Sequence, residues 1–230
     1  MEARIKTLLG IAFIFVAVIG VFFYMTRPAK GPSQDIGGLA DIPSKDKNSV
    51  IYRISPEESK ISFNVDEILY GKPFTPVGTT NQIAGDILVN MNKPENVKMG
   101  NIIVNARTFK TDSEKRDGAV ARFILKSDDP ANEFIKFTPK RLVVNFDEIQ
   151  IGKDFEISII GDIFIAGITK EVAVDGIAIV LPEGKIKANI EFLIKRSDFD
   201  LVIPQVPFVA QVAEKVFIKG DIVANEVIKE

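Results

Sequence analysis

Apolar and polar residues alternate with a period of two through most of the chain from Val50 onward. Ile61, Phe63 and Val65 fall on one face of a run in which Ser62, Asn64 and Asp66 take the other. Ile87, Val89 and Met91 repeat the pattern, as do Ile102, Val104 and Ala106. Further runs follow at RLVVNF, FEISII, DIFIAG, KEVAVDGIAIV, KIKANIEFLIK, DFDLVI and KVFIKGDIVA. Alternation of this kind marks half-buried strands. Pro182-Glu183-Gly184 between two of the runs predicts a hairpin turn. Strands joined by short connections predict an all-β antiparallel sandwich or barrel rather than βαβ units. No repeat of 20–50 residues is visible, so solenoids and propellers are excluded.

One segment breaks the period. Thr111 and Glu114 have the spacing of a capping box, and Val120, Phe123 and Ile124 then share a helical face. Arg116, Asp117 and Arg122 take other faces, and Gly118 costs about 1 kcal/mol of helix propensity relative to Ala, so the helix must lean on the sheet. A single helix among so many strands suits a barrel with a helical lid or plug.

The N-terminal pattern is different. Leu8 to Met25 contains no charged or strongly polar residue. As a helix it rises about 27 Å, close to the hydrocarbon thickness of a bilayer. Arg4 and Lys6 precede it and Arg27 and Lys30 follow. Residues 1–25 are expected to be a transmembrane signal anchor. A cleaved signal peptide is the alternative, although its apolar region is usually only about 7–15 residues long. Residues 26–48 carry Pro28, Pro32, Pro43, Gly31, Gly37 and Gly38 and predict a flexible linker. Residues 49–230 form the domain.

Composition narrows the chemistry. A net charge of −2 gives no basic excess, so nucleic acid is not an expected partner. The chain has no Cys and no His. Ser-His-Asp and Cys-His nucleophilic machinery is therefore absent, as are the usual ligands of zinc. No EF-hand spacing appears among the carboxylates. The expectation is a non-enzymatic protein without metal or cofactor.

The quoted blocks together carry a family resemblance. YRISPEESKISFNVDE, GTTNQIAGDI, ARTFKTDSEKRD, FIKFTP, GDIFIAGITKEV, KRSDFDL and VPFVAQVAEKVFIKGDIVA run in order from about Ser49 to Ala224. This resembles the YceI-like, polyisoprenoid-binding family of lipocalin-like barrels. The resemblance implies an eight-stranded antiparallel barrel around an isoprenoid-type lipid, such as a quinone or polyprenyl derivative. It also implies export, which places the domain on the extracytoplasmic side of the cell membrane, held there by the single-pass N-terminal helix. Many relatives carry His where this chain has Ala166, and another near Ala119, so no role resting on those histidines is carried over.

A barrel of about eight strands either fills with its own side chains or holds one small ligand. Under the second reading the expected lining is Phe63, Val65, Ile87, Val89, Val104, Ile157, Ile163, Ile165, Ile190, Phe192 and Ile194. Val120, Phe123 and Ile124 of the helix would close or line one end. Arg116 and Arg196 are candidate headgroup contacts, with helix capping and an ion pair to Asp198 or Asp200 as their structural alternatives. Under the first reading the chain is a tethered structural or interaction subunit of a cell-envelope complex with a solid barrel.

Overall fold

The computed structural model describes residues 29–39, 49–90, 93, 97–144, 150–205 and 208–227. The expected anchor over residues 1–25 lies outside them. Among the described residues no helix is long and apolar enough to cross a membrane.

Alternation becomes a curled antiparallel sheet. In chain order the short strands are β1 (Ser49–Ile54), β2 (Lys60–Asn64), β3 (Glu67–Leu69), β4 (Lys72–Phe74), β5 (Val77–Thr80), β6 (Ile83–Ala84), β7 (Asp86–Asn90), β8 (Lys98–Met99) and β9 (Ile102–Asn105). The long strands β10 (Phe134–Val143), β11 (Asp154–Ile165), β12 (Ile168–Leu181) and β13 (Lys185–Lys195) follow. The two-residue β14 (Val209–Ala210) and the long β15 (Lys215–Glu226) complete the set. The main sheet runs β6-β9-β10-β11-β12-β13-β15-β1-β7-β8, with β2 paired to β15 and β5 to β2. A second sheet has the order β14-β3-β4. The hairpin expected at Pro182-Glu183-Gly184 joins β12 to β13, with Leu181 opposite Lys185 and Gly184 at a φ of 71°.

The concave face collects the apolar phase. In β11 it is the odd residues, with Ile159, Ile163 and Ile165 buried. In β12, β13 and β15 it is the even ones, with Val174, Ala178, Ile194, Val216 and Ala224 buried. β10 changes phase partway. A register shift between Pro139 and Arg141 leaves Phe137 and Leu142 both packed inward, although they differ in parity. An extra residue in one strand reverses the faces beyond it.

The helix caps one end of this sheet, but not as the capping box predicted. Ser113, not Thr111, stands at the N-cap of α1 (Glu114–Ala119), and its side chain makes no cap hydrogen bond. Asp117 reaches back instead, accepting from the Thr111 backbone N–H at 2.6 Å and from the Thr111 hydroxyl at 2.7 Å. Val120–Ile124 then forms a π-helical turn, with the Leu125 N–H donating to the Val120 carbonyl. The wider turn shifts the apolar face expected from a 3.6-residue period. Val120 and Leu125 are buried and Ile124 packs against the core, whereas Phe123 turns aside beneath the Arg122 guanidinium, 4.9 Å from its ring centroid.

Within the stretch expected to be a linker, residues 29–39 lie against the body. Ile36 is buried against Ala84 and Ile103, apart from the main core. The Lys30 ammonium donates to the Asp128 carbonyl, and the Ser33 N–H donates to Glu133 Oε1 at 2.7 Å. Glu133 also forms an ion pair with Arg107 at 2.7 Å, the two side chains only 2% and 4% exposed. Arg107 donates further to the carbonyls of Ser127 and Gly31. Burial alone would push the Glu133 carboxyl up. The hydrogen bonds from Ser33, the Arg107 charge and the Asn105 amide outweigh it and hold the pKa below the ordinary value.

Candidate ligand-binding cavity

The inward side chains of the strands enclose a cavity of about 360 Å³. That lies within the range of ligand sites, about 300–1,000 Å³. Among the described residues, every side chain lining it apart from the Tyr52 hydroxyl is an aliphatic, Met or Phe group. Burial first, and the nearby Glu226 charge second, raise the Tyr52 pKa, so the phenol stays protonated and able to donate.

Seven of the expected lining residues face this space: Ile87, Val89, Val104, Ile157, Ile163, Ile190 and Phe192. Phe63, Val65, Ile165 and Ile194 point inward too, but they belong to the solid core at the helix end. There Phe63 meets Phe109 edge-on with centroids 5.3 Å apart. Phe199 lies in the same core, 1% exposed. Val120 and Ile124 pack into that core and do not line the cavity, and Phe123 does neither. Alternation specifies which face a residue takes and nothing about its depth along the barrel, which accounts for this division.

The cavity wall also includes Tyr52, Ile54, Ile61, Phe137, Phe155, Ile159, Val174 and Ala178, which lie outside the expected set. Phe155 and Ile159 share the phase of Ile157 and are legible from it. Phe137 and Leu142 are masked by the phase reversal in β10. Ile151 marks the mouth: it lines the cavity yet is 67% exposed.

Neither candidate headgroup residue lines the cavity. Arg116 forms an ion pair with Glu67 at 2.8 Å and with Asp112 at 3.0 Å, and its guanidinium lies 5.4 Å above the Phe74 ring. Arg196 donates to the carbonyls of Ala213, Leu201 and Val212. Its carboxylate partner is Glu214 at 3.5 Å rather than Asp198 or Asp200. Arg196 spends its forked donors on loop carbonyls, and Arg116 is engaged by the carboxylates of Glu67 and Asp112. Among the described residues, no group of three or more acidic side chains is arranged to hold a metal ion.

An apolar cavity with one hydroxyl can retain a hydrocarbon chain by buried area alone, each buried methylene contributing about 0.8 kcal/mol. None of its described lining side chains carries a charge.

The comparisons fit this geometry. A family model described as "YceI-like domain" matches residues 52–224. A polyisoprenoid binding domain from Saccharophagus degradans superposes with a TM-score of 0.60 at 12% identity, covering 76% of this chain and 98% of that one. BcnA from Burkholderia cenocepacia superposes with a TM-score of 0.57 at 16% identity, covering 75% and 99%. Among curated protein sequences, none matches the chain.

Proposed function

Given that this chain belongs to the YceI-like family, we propose that it binds an isoprenoid-type lipid, such as a quinone or polyprenyl derivative, in its apolar cavity. The observation that carries the reading is the cavity itself, because a solid structural barrel has no use for an empty apolar interior. The Saccharophagus degradans relative, a polyisoprenoid binding domain of the same fold, supports the choice of ligand.

The strand pairings support a closed eight-stranded lipocalin-like barrel. β6 and β7 are separated only by Gly85, and together they pair with β1 on one side and with β8 and β9 on the other. Counting β1 with β2, β5 to β7, and β8 with β9 as single bent strands leaves eight in the main sheet, in a pairing order that favours closure. Eight strands leave room for one small ligand.

In this reading the tail lies along Ile190, Ile157 and Val174, and its polar head sits at the mouth near Ile151. The binding step requires no catalysis. Leu8–Met25 anchors the chain in the cell membrane, as the uninterrupted apolar run supports, and the family resemblance favours the extracytoplasmic side for the barrel.

The test is thermal unfolding of the purified full-length chain with and without an isoprenoid quinone. The expected outcome is a rise in Tm that grows with ligand concentration. Phe192→Asp, which sets a carboxylate in the wall, should retain the strand circular dichroism and lose the rise. A folded wild-type chain with no rise would count against the reading, and a folded Phe192→Asp chain with an unchanged rise would move the site elsewhere.

A further inference from the structure

The helix end carries an apolar feature that neither the core nor the cavity uses. Tyr70 is 74% exposed, Val202 68% and Phe208 45%. The Tyr70 and Phe208 rings stack with centroids 5.2 Å apart, and the Tyr70 N–H donates to the Phe208 carbonyl at 2.8 Å. The pair is therefore fixed in place. Tyr70 has a φ of 50° and Gly71 of 75°, the two central positions of a turn usually filled by Asn-Gly. A bulky side chain is strained in that region, and here the strain holds an aromatic ring out in water.

The surroundings extend the feature. From Leu201 to Ala213 the sequence contains no charged residue, while exposed Lys72 stands across the turn from Leu69. Arg196 fastens both ends of that stretch through the carbonyls of Leu201, Val212 and Ala213. Aromatic rings beside a lysine on an uncharged loop match the chemistry of a membrane interface.

A second observation concerns where the chain enters. β2 runs from Ile61 at the cavity past Phe63 in the solid core and on into β3, so the Tyr70 turn projects from the helix end. Lys30, Gly31 and Ser33 are tied to Asp128, Arg107 and Glu133, which flank the helix and so lie at that end as well. Lys30 follows Met25, the end of the apolar run, by only a few positions. Fully extended, that connection spans at most about 18 Å.

We propose that the helix end of the barrel docks on the phospholipid bilayer that holds the N-terminal run, with Tyr70, Val202 and Phe208 entering the interface. The proposal rests on the anchor reading above. It turns the mouth near Ile151 away from that bilayer, so lipid is exchanged with the extracytoplasmic side rather than with the membrane beneath.

The chain contains no Trp, which makes a single introduced Trp a clean reporter. Full-length Phe208→Trp and Ile151→Trp chains would be reconstituted into phosphatidylethanolamine and phosphatidylglycerol vesicles containing brominated phospholipid, and floated on a density gradient. The expected result is flotation of both, with most of the indole emission lost to bromine in the Phe208→Trp chain and retained in the Ile151→Trp chain. Tyr70→Trp repeats the test should Phe208→Trp disturb the stack. Flotation with unquenched emission from both Phe208→Trp and Tyr70→Trp would keep the anchor and overturn docking. Blue-shifted but unquenched emission would mark a second copy of the chain on this surface and also overturn it. Failure to float would remove the anchor, and docking with it.

Discussion

The two ends of this barrel are built from the same residue types in the same phase, yet one is solid and the other hollow. At the helix end Phe63, Val65, Ile165, Ile194 and Val216 meet Phe109, Val120, Leu125, Phe199 and Leu201, which arrive from the connections between strands. At the other end Ile87, Ile157, Val174, Ala188 and Ile190 point at one another across an empty space. The strands alone leave the interior unfilled, and wherever the connections supply side chains the space closes. A barrel of this width is therefore hollow or solid according to what its connections supply, and at the helix end they supply these five side chains.

The largest expected effect is on stability. Phe199→Ala at the solid end should cost about 3–5 kcal/mol, the range for truncating a fully buried Phe. Phe192→Ala in the hollow half should cost about 1–2 kcal/mol, because that ring is only partly buried and already lacks neighbours on one side. Urea unfolding of both variants measures the difference, and equal costs would break the contrast.

Enlarging side chains should keep the order and sharpen the contrast. A Cβ placed at Gly78 would lie 2.3 Å from the Phe63 ring, so Gly78→Ala should cost about 1–3 kcal/mol through overpacking. Ala188→Phe, directed into the cavity, should leave stability nearly unchanged and abolish lipid binding. Calorimetric titration with the isoprenoid quinone reads the second outcome.

How much of this is legible in the residues follows from what alternation encodes. It reveals the strands, their inward faces and part of the cavity wall. It does not separate Ile190, which lines the cavity, from Ile194, which does not, because moving along one face changes depth and not phase. The β10 bulge hides Phe137 and Leu142, and the π-turn moves Phe123 off the face its spacing predicts. The short strands β3, β4 and β14 hold two or three residues each, too few to display a period. The contacts of residues 29–39 depend on Glu133, 100 positions from Ser33, so a Pro- and Gly-rich stretch read as linker conceals them.

The smallest expected effect is of pH, and it too separates the ends. The Glu133 pKa is depressed in the folded chain. Its contribution is therefore complete above the unfolded value of about 4.3 and is lost as pH falls toward the folded one. Amide exchange at Ser33 should accelerate below that range while exchange along β12 and β13 at the cavity stays slow. Uniform acceleration would mean that the solid end and the hollow half open together.

The most direct measurement is organic extraction of the full-length chain, purified from cells containing native membranes, followed by mass spectrometry. The account predicts a near-stoichiometric isoprenoid-type lipid in the wild-type chain and its loss from Ala188→Phe. A folded wild-type chain that yields no such lipid, or a filled-cavity variant that still carries it, would contradict the account.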